Sequence, residues 1–223
     1  MAHPFDPKFV TFDCYGTLTW FQINNSTKGI LGDRLSVHLA PAFLESFRGY
    51  RIDEVLGAWQ PYHDVIASAF RRACQRHGVE YRDEDATAIY ESVGTWGPHP
   101  DTPGGLAKLA TKVPLVILSN AMDDQIPGNV AQLGAPFAHV LTAQQAQAYK
   151  PRLRAFEYML DTLGVGPTEI VHVSASLRYD LMPAYDLGIT NKVYVNRGQE
   201  PSAPYYGYRE ISSIAELPGL FGA

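Results

Sequence analysis

The chain has 223 residues, 46% of them hydrophobic and 18% charged, with a formal net charge of -5. This composition excludes a disordered or fibrous chain and supplies enough apolar material for one large domain, or for a core of about 150 residues carrying an insert. The acidic balance argues against nucleic acid or an anionic membrane surface as the main partner, while leaving room for a local positive site that takes a small anion.

In chain order, the opening MAHPFDPKFV has no basic stretch followed by a long apolar run, so no secretory leader is expected. No apolar run approaches the roughly 20 residues that span a bilayer. The cytoplasm is therefore the default expectation, and the glycosylation-like patterns at Asn24 and Asn25 carry no meaning without secretion. Phe9-Val10-Thr11-Phe12 is short, β-branched and aromatic, and it reads as a buried strand. Asp13 ends it, and Gly16 with Thr17 makes a tight turn. From 19 to 96 no segment reads convincingly as a strand. Apolar spacing predicts helices over 34–47, 53–77 and 83–93, with Phe43, Leu44 and Phe47 on one face and Pro61 kinking or breaking the middle segment. The Gly- and Pro-rich stretch 94–105 returns the chain to the core.

Beyond it, strands are predicted at 114–118, 139–142, 170–173 and 192–195. Helices are predicted at 103–111, 123–133, 152–163 and 177–187, with Gly134, Gly164 and Gly188 at C-cap positions. The alternation predicts an α/β fold, a doubly wound and mostly parallel sheet covered on both faces. Residues 1–18 and 97–223 would form this core, and 19–96 an inserted helical domain. Cys14 and Cys74 fit neither a zinc spacing nor a disulfide framework.

Polar side chains collect where the predicted strands end: Asp13 and Thr17, Ser119 and Asn120, Lys150 after a short connection, and then Ser174, Ser176 and Asp180. Ligands of open parallel sheets bind outside the carboxyl ends of the strands, so four such ends in register point to a site.

The ordered segments Phe12-Asp13-Cys14-Tyr15-Gly16-Thr17-Leu18, Leu118-Ser119-Asn120, Tyr149-Lys150-Pro151 and Ser174 to Asp180 resemble the haloacid dehalogenase superfamily. Within it the chain looks most like the type II L-2-haloacid dehalogenases. The resemblance implies a Rossmann-like core, with 19–96 standing where the superfamily places its cap. It implies Asp13 as a covalent nucleophile, Lys150 as the cation that keeps Asp13 ionised and aimed, and Asp180 as the group that holds Lys150 or the hydrolytic water. Thr17 and Ser174 would position the Asp13 carboxylate and the water. Ser119 and Asn120 would bind the substrate carboxylate. A cap arginine would cradle the halide. Arg48 is the first candidate, because Phe47-Arg48 resembles the aromatic–arginine pair found there, with Arg51 and Arg34 as alternatives.

Four positions depart from the patterns of the superfamily. Tyr15 stands where its phosphatases carry a second aspartate that acts as general acid, and it would face the substrate instead. Ala175 stands in the stretch that gives those phosphatases a magnesium-binding aspartate. Ser176 replaces an asparagine of the dehalogenases that helps cradle halide, and Phe156 replaces a tyrosine. Trp20, Phe21, Trp59 and Tyr62 would line an apolar pocket or form the core of the cap.

The implied activity is metal- and cofactor-independent hydrolysis of a 2-haloacid to a 2-hydroxy acid through an aspartyl ester, because halide leaves without a proton. Three other readings stay open. One is hydrolysis of another small C2-substituted carboxylate. A second is a magnesium-dependent phosphatase, against which Tyr15 and Ala175 speak. The third is a degenerate binding member, against which the retained Asp13, Ser119, Lys150 and Asp180 speak. The expected partner is a small carboxylate, with no nucleic acid and no membrane. The resembled family commonly forms homodimers, although the sequence shows no interface signal.

Overall fold

The computed structural model describes residues 5–222, so the first four residues of the segment read for a leader lie outside it. Six parallel strands form one sheet: β1 (Phe9–Phe12), β2 (Leu115–Ser119), β3 (His139–Thr142), β4 (Ile170–Ser174), β5 (Asn191–Val195) and β6 (Arg209–Ile211). Their spatial order is β3-β2-β1-β4-β5-β6. Phe12 pairs with Ile117 on one side and with Val173 on the other. The strand order therefore reverses between β1 and β4, and that crevice is where a doubly wound sheet binds its ligand.

The central strands are apolar on both faces because helices cover both. Their side chains alternate in period two. Leu115 and Ile117 pack with Val10, Phe12, Val171 and Val173 on one face. Val116 and Leu118 pack with Phe156, Met159 and Ile170 on the other. Helices α5 (Thr102–Leu109), α6 (Ile126–Val130), α7 (Ala143–Ala146), α8 (Leu153–Leu163) and α9 (Met182–Asp186) belong to this α/β core.

Four further helices lie between β1 and α5: α1 (Ile23–Leu31), α2 (Ala40–Leu56), α3 (Tyr62–His77) and α4 (Asp83–Ser92). They bury a separate cluster that includes Phe43, Phe47, Ile66, Phe70 and Ile89. Phe70 meets the rings of Phe43 and Phe47 edge-on at 6.0 and 5.7 Å. Arg34 grips Asp85 through two bonds of 2.7 Å, tying the α1–α2 connection to α4.

The helical segment differs from expectation in its boundaries. Helix α1 was not anticipated, because Asn24-Asn25-Ser26 and Gly29 have poor helix propensity, yet Ile23, Thr27 and Leu31 bury one face and hold it. Helix α2 begins at Ala40 rather than 34, and it runs through Asp53 to Leu56. The break comes at 57–61, with Pro61 directly before α3, where its fixed φ suits a helix start.

In the core, β6 is a three-residue edge strand with Glu210 exposed, too short and too polar to read from pattern. The helix expected over 177–187 is a π turn at Leu177–Leu181 followed by α9, with Pro183 near the α9 start. Cys14 and Cys74 are both buried and free, and they sit in different apolar clusters. Among the described residues no helix is long and apolar enough to cross a membrane.

Adjacent glycines in α5 offer a test of the packing. A Cβ at Gly105 would lie 2.5 Å from the backbone oxygen of Ile214, whereas one at Gly104 would meet nothing within 4 Å. Urea denaturation should show Gly105→Ala destabilised by about 1–3 kcal/mol. Gly104→Ala should be stabilised by roughly 0.5–1 kcal/mol, since alanine favours the helix.

Candidate active site

The Asp13 N–H donates to the Val173 oxygen at 3.1 Å, so the β1–β4 ladder runs one residue past β1 and delivers Asp13 to the crevice. The chain then turns sharply. Gly16 adopts φ 91°, a conformation strained for a residue with a Cβ, and its N–H reaches the Thr19 oxygen at 2.7 Å. This turn brings the Thr17 hydroxyl back to Asp13 Oδ2, to which it donates at 2.6 Å. The same hydroxyl accepts the Ala175 N–H at 2.9 Å, which locks the loop after β1 to the loop after β4.

Lys150 completes the cluster. Its Nζ uses all three protons: on Asp13 Oδ1 at 2.8 Å, on Asp180 Oδ1 at 2.7 Å, and on the Leu118 oxygen at 2.9 Å. The Lys150 side chain is only 1% exposed, and Asp180 is fully buried. Asn120 fixes the backbone that carries Lys150, because its amide donates to the Lys150 oxygen at 2.9 Å and accepts the Lys150 N–H at 2.7 Å. The Asn120 side chain thus holds Lys150 with its oxygen and one amide proton, and its second amide proton stays available at the cavity wall.

One member of the network was missed. His172 bonds Asp180 Oδ1 through Nε2 at 3.1 Å and the Thr11 hydroxyl through Nδ1 at 2.8 Å. With the proton on Nε2, it donates to Asp180 and accepts from Thr11. A histidine inside the apolar run Ile170–Ser174 was the available signal.

The electrostatics follow from burial. Desolvation raises the Asp13 carboxyl above its ordinary pKa, and the Asp180 charge adds to this, with Lys150 and Thr17 offsetting part of it. Burial also works against ionisation of Asp180, but Lys150 and His172 outweigh it and hold that carboxyl below the usual range. Burial would likewise depress Lys150, yet its two carboxylates keep it above the ordinary lysine value. Asp180 thus favours its ionised form beside the ammonium, and Asp13 is the more basic carboxylate.

Asp13, Lys150 and Asp180 open on a cavity of about 320 Å³ that Arg51, Val55 and Tyr62 line from the helical side. Tyr15, Asn120 and Ser176 also line it. Burial pushes the Tyr15 phenol far above its usual pKa. Its hydroxyl donates to Asn129 at 2.8 Å, and its ring meets Trp96 edge-on at 5.8 Å, so Tyr15 is a neutral wall and not an acid. Thr17, Ser119 and Ser174 are buried and stand outside the lining. The Ser174 hydroxyl accepts the Ser176 N–H at 2.9 Å, and among the described residues Ser119 Oγ has no partner.

The arginine candidates separate clearly. Arg34 is spent on Asp85. Arg48 is half exposed at the cavity rim and pairs with Glu45 at 3.2 Å. Arg51 is 8% exposed, lies 4.9 Å from the Phe47 ring centre and 5.5 Å from that of Phe21, and leaves Nε without a partner. Phe21 and Tyr62 line the cavity, whereas Trp20 stacks on His99 and Trp59 packs against the helical cluster. Phe156 lies under the sheet against His172 and does not reach the cavity.

Removing the shared cation should expose the like-charge pair. Lys150→Met leaves two buried carboxylates facing one another, which should cost about 3–5 kcal/mol at neutral pH. Their folded-state pKa values would then lie above the unfolded ones, so the folded variant binds more protons and gains stability as pH falls. Urea melts at pH 7 and 5.5 should show that gain in the variant and a flatter trend in the unsubstituted protein.

A family model described as haloacid dehalogenase-like hydrolase matches residues 7–188. Among curated proteins, the chain is 27% identical to (S)-2-haloacid dehalogenase 4A of Burkholderia cepacia, over 92% of this chain and 91% of the relative. It is 25% identical to (S)-2-haloacid dehalogenase 1 of Pseudomonas sp. (strain CBS-3), over 74% of each chain. Among solved structures, it shares the fold of the L-2-haloacid dehalogenase from Xanthobacter autotrophicus with chloropropionic acid covalently bound. The TM-score there is 0.79 at 20% identity, over 96% of this chain and 98% of that one. With a match over most of its length and the strand-end motifs assembled at the switch point, the chain belongs to the haloacid dehalogenase-like hydrolase family.

Proposed function

We propose that the protein is a hydrolytic 2-haloacid dehalogenase that works through an ester on Asp13, with residues 19–96 serving as a cap over a core formed by 1–18 and 97–223. The observation that carries the reading is the shared ammonium: Lys150 holds Asp13 at the cavity wall and is itself held by Asp180. The (S)-2-haloacid dehalogenase relatives support the choice of substrate class.

In the first step a carboxylate oxygen of Asp13 attacks C2 of the 2-halocarboxylate from the face opposite the halogen. The carbon–halogen bond breaks, halide leaves with the electron pair, and C2 inverts. Water then attacks the ester carbonyl of Asp13, which releases the 2-hydroxy acid and restores the carboxylate. One difficult displacement becomes two easier steps.

Halide needs no proton, which suits a site where Tyr15 replaces an acid. It also suits a site where one ammonium bonds both carboxylates and holds Asp13 in place. Arg51, buried and without a carboxylate partner, takes the role of anion cradle that sequence similarity gave first to Arg48. Thr17 orients Asp13, and Asn120 orients Lys150. The helices exclude bulk water from the cavity, which strengthens these electrostatic contacts. The reading places the enzyme in the cytoplasm with a small carboxylate as its partner.

Halide release from 2-chloropropionate tests it. Asp13→Asn should lose at least about a thousandfold in kcat, and full activity in that variant, or faster phosphate release from a phosphomonoester with magnesium, would contradict it. Arg51→Ala should lower kcat/KM by about tenfold or more, and Arg48→Ala by less than about threefold, as expected for a solvent-screened side chain. The pH profile has a definite sign. Asp13 reacts only when ionised and its pKa is raised, so kcat/KM should fall on acidification along a limb lying above the ordinary aspartate value of 3.8.

A further inference from the structure

Of the charged residues described in the cavity lining, Glu200 is the one carboxylate that the proposed reaction does not use. Glu200, on the loop after β5, lines the same cavity as Asp13 and Arg51. Its backbone oxygen accepts from the Tyr194 hydroxyl at 2.7 Å. Its carboxylate accepts the Ser176 hydroxyl at 3.2 Å and the Leu177 N–H at 3.0 Å. Nearby, Arg197 anchors the same loop to Asp101 by two bonds of 3.0 Å and to the Thr17 oxygen at 3.0 Å. The loop is thus tied to both β1 and β4 connections, and it presents Glu200 in a fixed place.

Among the described residues no lysine, arginine or histidine nitrogen comes within 4.0 Å of the Glu200 carboxylate. Lys150 is spent on Asp13 and Asp180, Arg197 on Asp101 and Arg48 on Glu45, while Arg51 and Arg178 line the same cavity with no ion pair among the described residues. A carboxylate held by only two neutral donors beside a partly dehydrated cavity favours a cation there and disfavours a second anion. Among the described residues Arg51, in the same cavity, likewise has no carboxylate partner. The cavity lining therefore offers both signs of charge.

Size points the same way. The cavity measures about 320 Å³, far above the roughly 10–15 Å³ that one water needs on that measure. A three-carbon haloacid, with six non-hydrogen atoms, leaves much of that unfilled.

We propose that the natural substrate is a zwitterion: a 2-substituted carboxylate whose chain extends to an ammonium group that Glu200 receives. The proposal rests on the reaction given above and names its substrate class. Glu200 would set specificity and take no part in bond making.

A matched pair of substrates isolates the charge. In 2-chloro-4-(trimethylammonio)butanoate the terminal group is cationic and cannot cyclise onto C2, and 2-chloro-5,5-dimethylhexanoate has the same shape without charge. Wild-type enzyme should show a kcat/KM for halide release about tenfold or more in favour of the cationic substrate. Glu200→Gln removes the charge while its amide oxygen still accepts the Leu177 N–H and its amide N–H can donate to the Ser176 hydroxyl; it should bring that ratio to within about threefold of unity, while Glu200→Asp should retain the preference. A ratio that Glu200→Gln leaves unchanged, or a wild-type preference for the neutral substrate, overturns the proposal while leaving the reaction intact. If neither compound releases halide while 2-chloropropionate does, the proposal is overturned and the reaction stands; if 2-chloropropionate is inert as well, the reaction itself is refuted. Calorimetric binding of the corresponding 2-hydroxy acids to wild type and Glu200→Gln reads the same charge preference without turnover.

Discussion

The structure turns on one buried ammonium shared by two carboxylates. Lys150 reaches the crevice between β1 and β4 with every proton engaged, and each of its partners comes from a different element: Asp13 after β1, the Leu118 oxygen on β2, and Asp180 in the π turn after β4. Taking such charges out of water is costly unless geometry and hydrogen bonding are complete. The surroundings supply that completeness. Thr17 binds Asp13, His172 binds Asp180, and Asn120 pins the lysine backbone. The asymmetry of these partners separates the two acids. Asp180 gains a second donor in His172, which favours its ionised form, while Asp13 remains the more basic carboxylate facing the cavity.

The sheet explains why these groups can meet at all. Parallel pairing aligns the strand ends, and reversal of strand order beside β1 parts the connections so that a cavity opens above Asp13. The helical segment closes that opening with its own apolar cluster. Arg51 is carried inward on α2, where Phe47 and Phe21 flank its guanidinium. Asn129 stitches the returning chain to the core through the Val93 and Trp96 oxygens while receiving the Tyr15 hydroxyl. Tyr15 therefore links wall, helices and core in one network.

Much of this was legible in the sequence, and the parts that were not have physical reasons. Strong apolar runs such as Leu115–Ser119 and Ile170–Ser174 announce buried strands, and the polar residues at their ends announce a site. The pairing of Asp13, Lys150 and Asp180 followed from those motifs and from family resemblance. Helix α1 and strand β6 were missed because tertiary packing, not local propensity, sustains them. His172 was missed because a lone histidine in a strand gives no partner from sequence. Arg48 was preferred to Arg51 on a local motif, but position along a helix decides which arginine turns inward, and three residues separate rim from interior. Glu200 was invisible because nothing near it in sequence hints that a late loop folds back over Ser176.

The central claim is that Asp13 forms a covalent ester and is regenerated by water. Single-turnover reaction with excess enzyme in water enriched in heavy oxygen, followed by mass spectrometry of the peptide containing Asp13, tests it directly. The account predicts one heavy oxygen in the Asp13 carboxylate and ordinary oxygen in the first-turnover product. Heavy oxygen in that product with an unlabelled Asp13 peptide would contradict it.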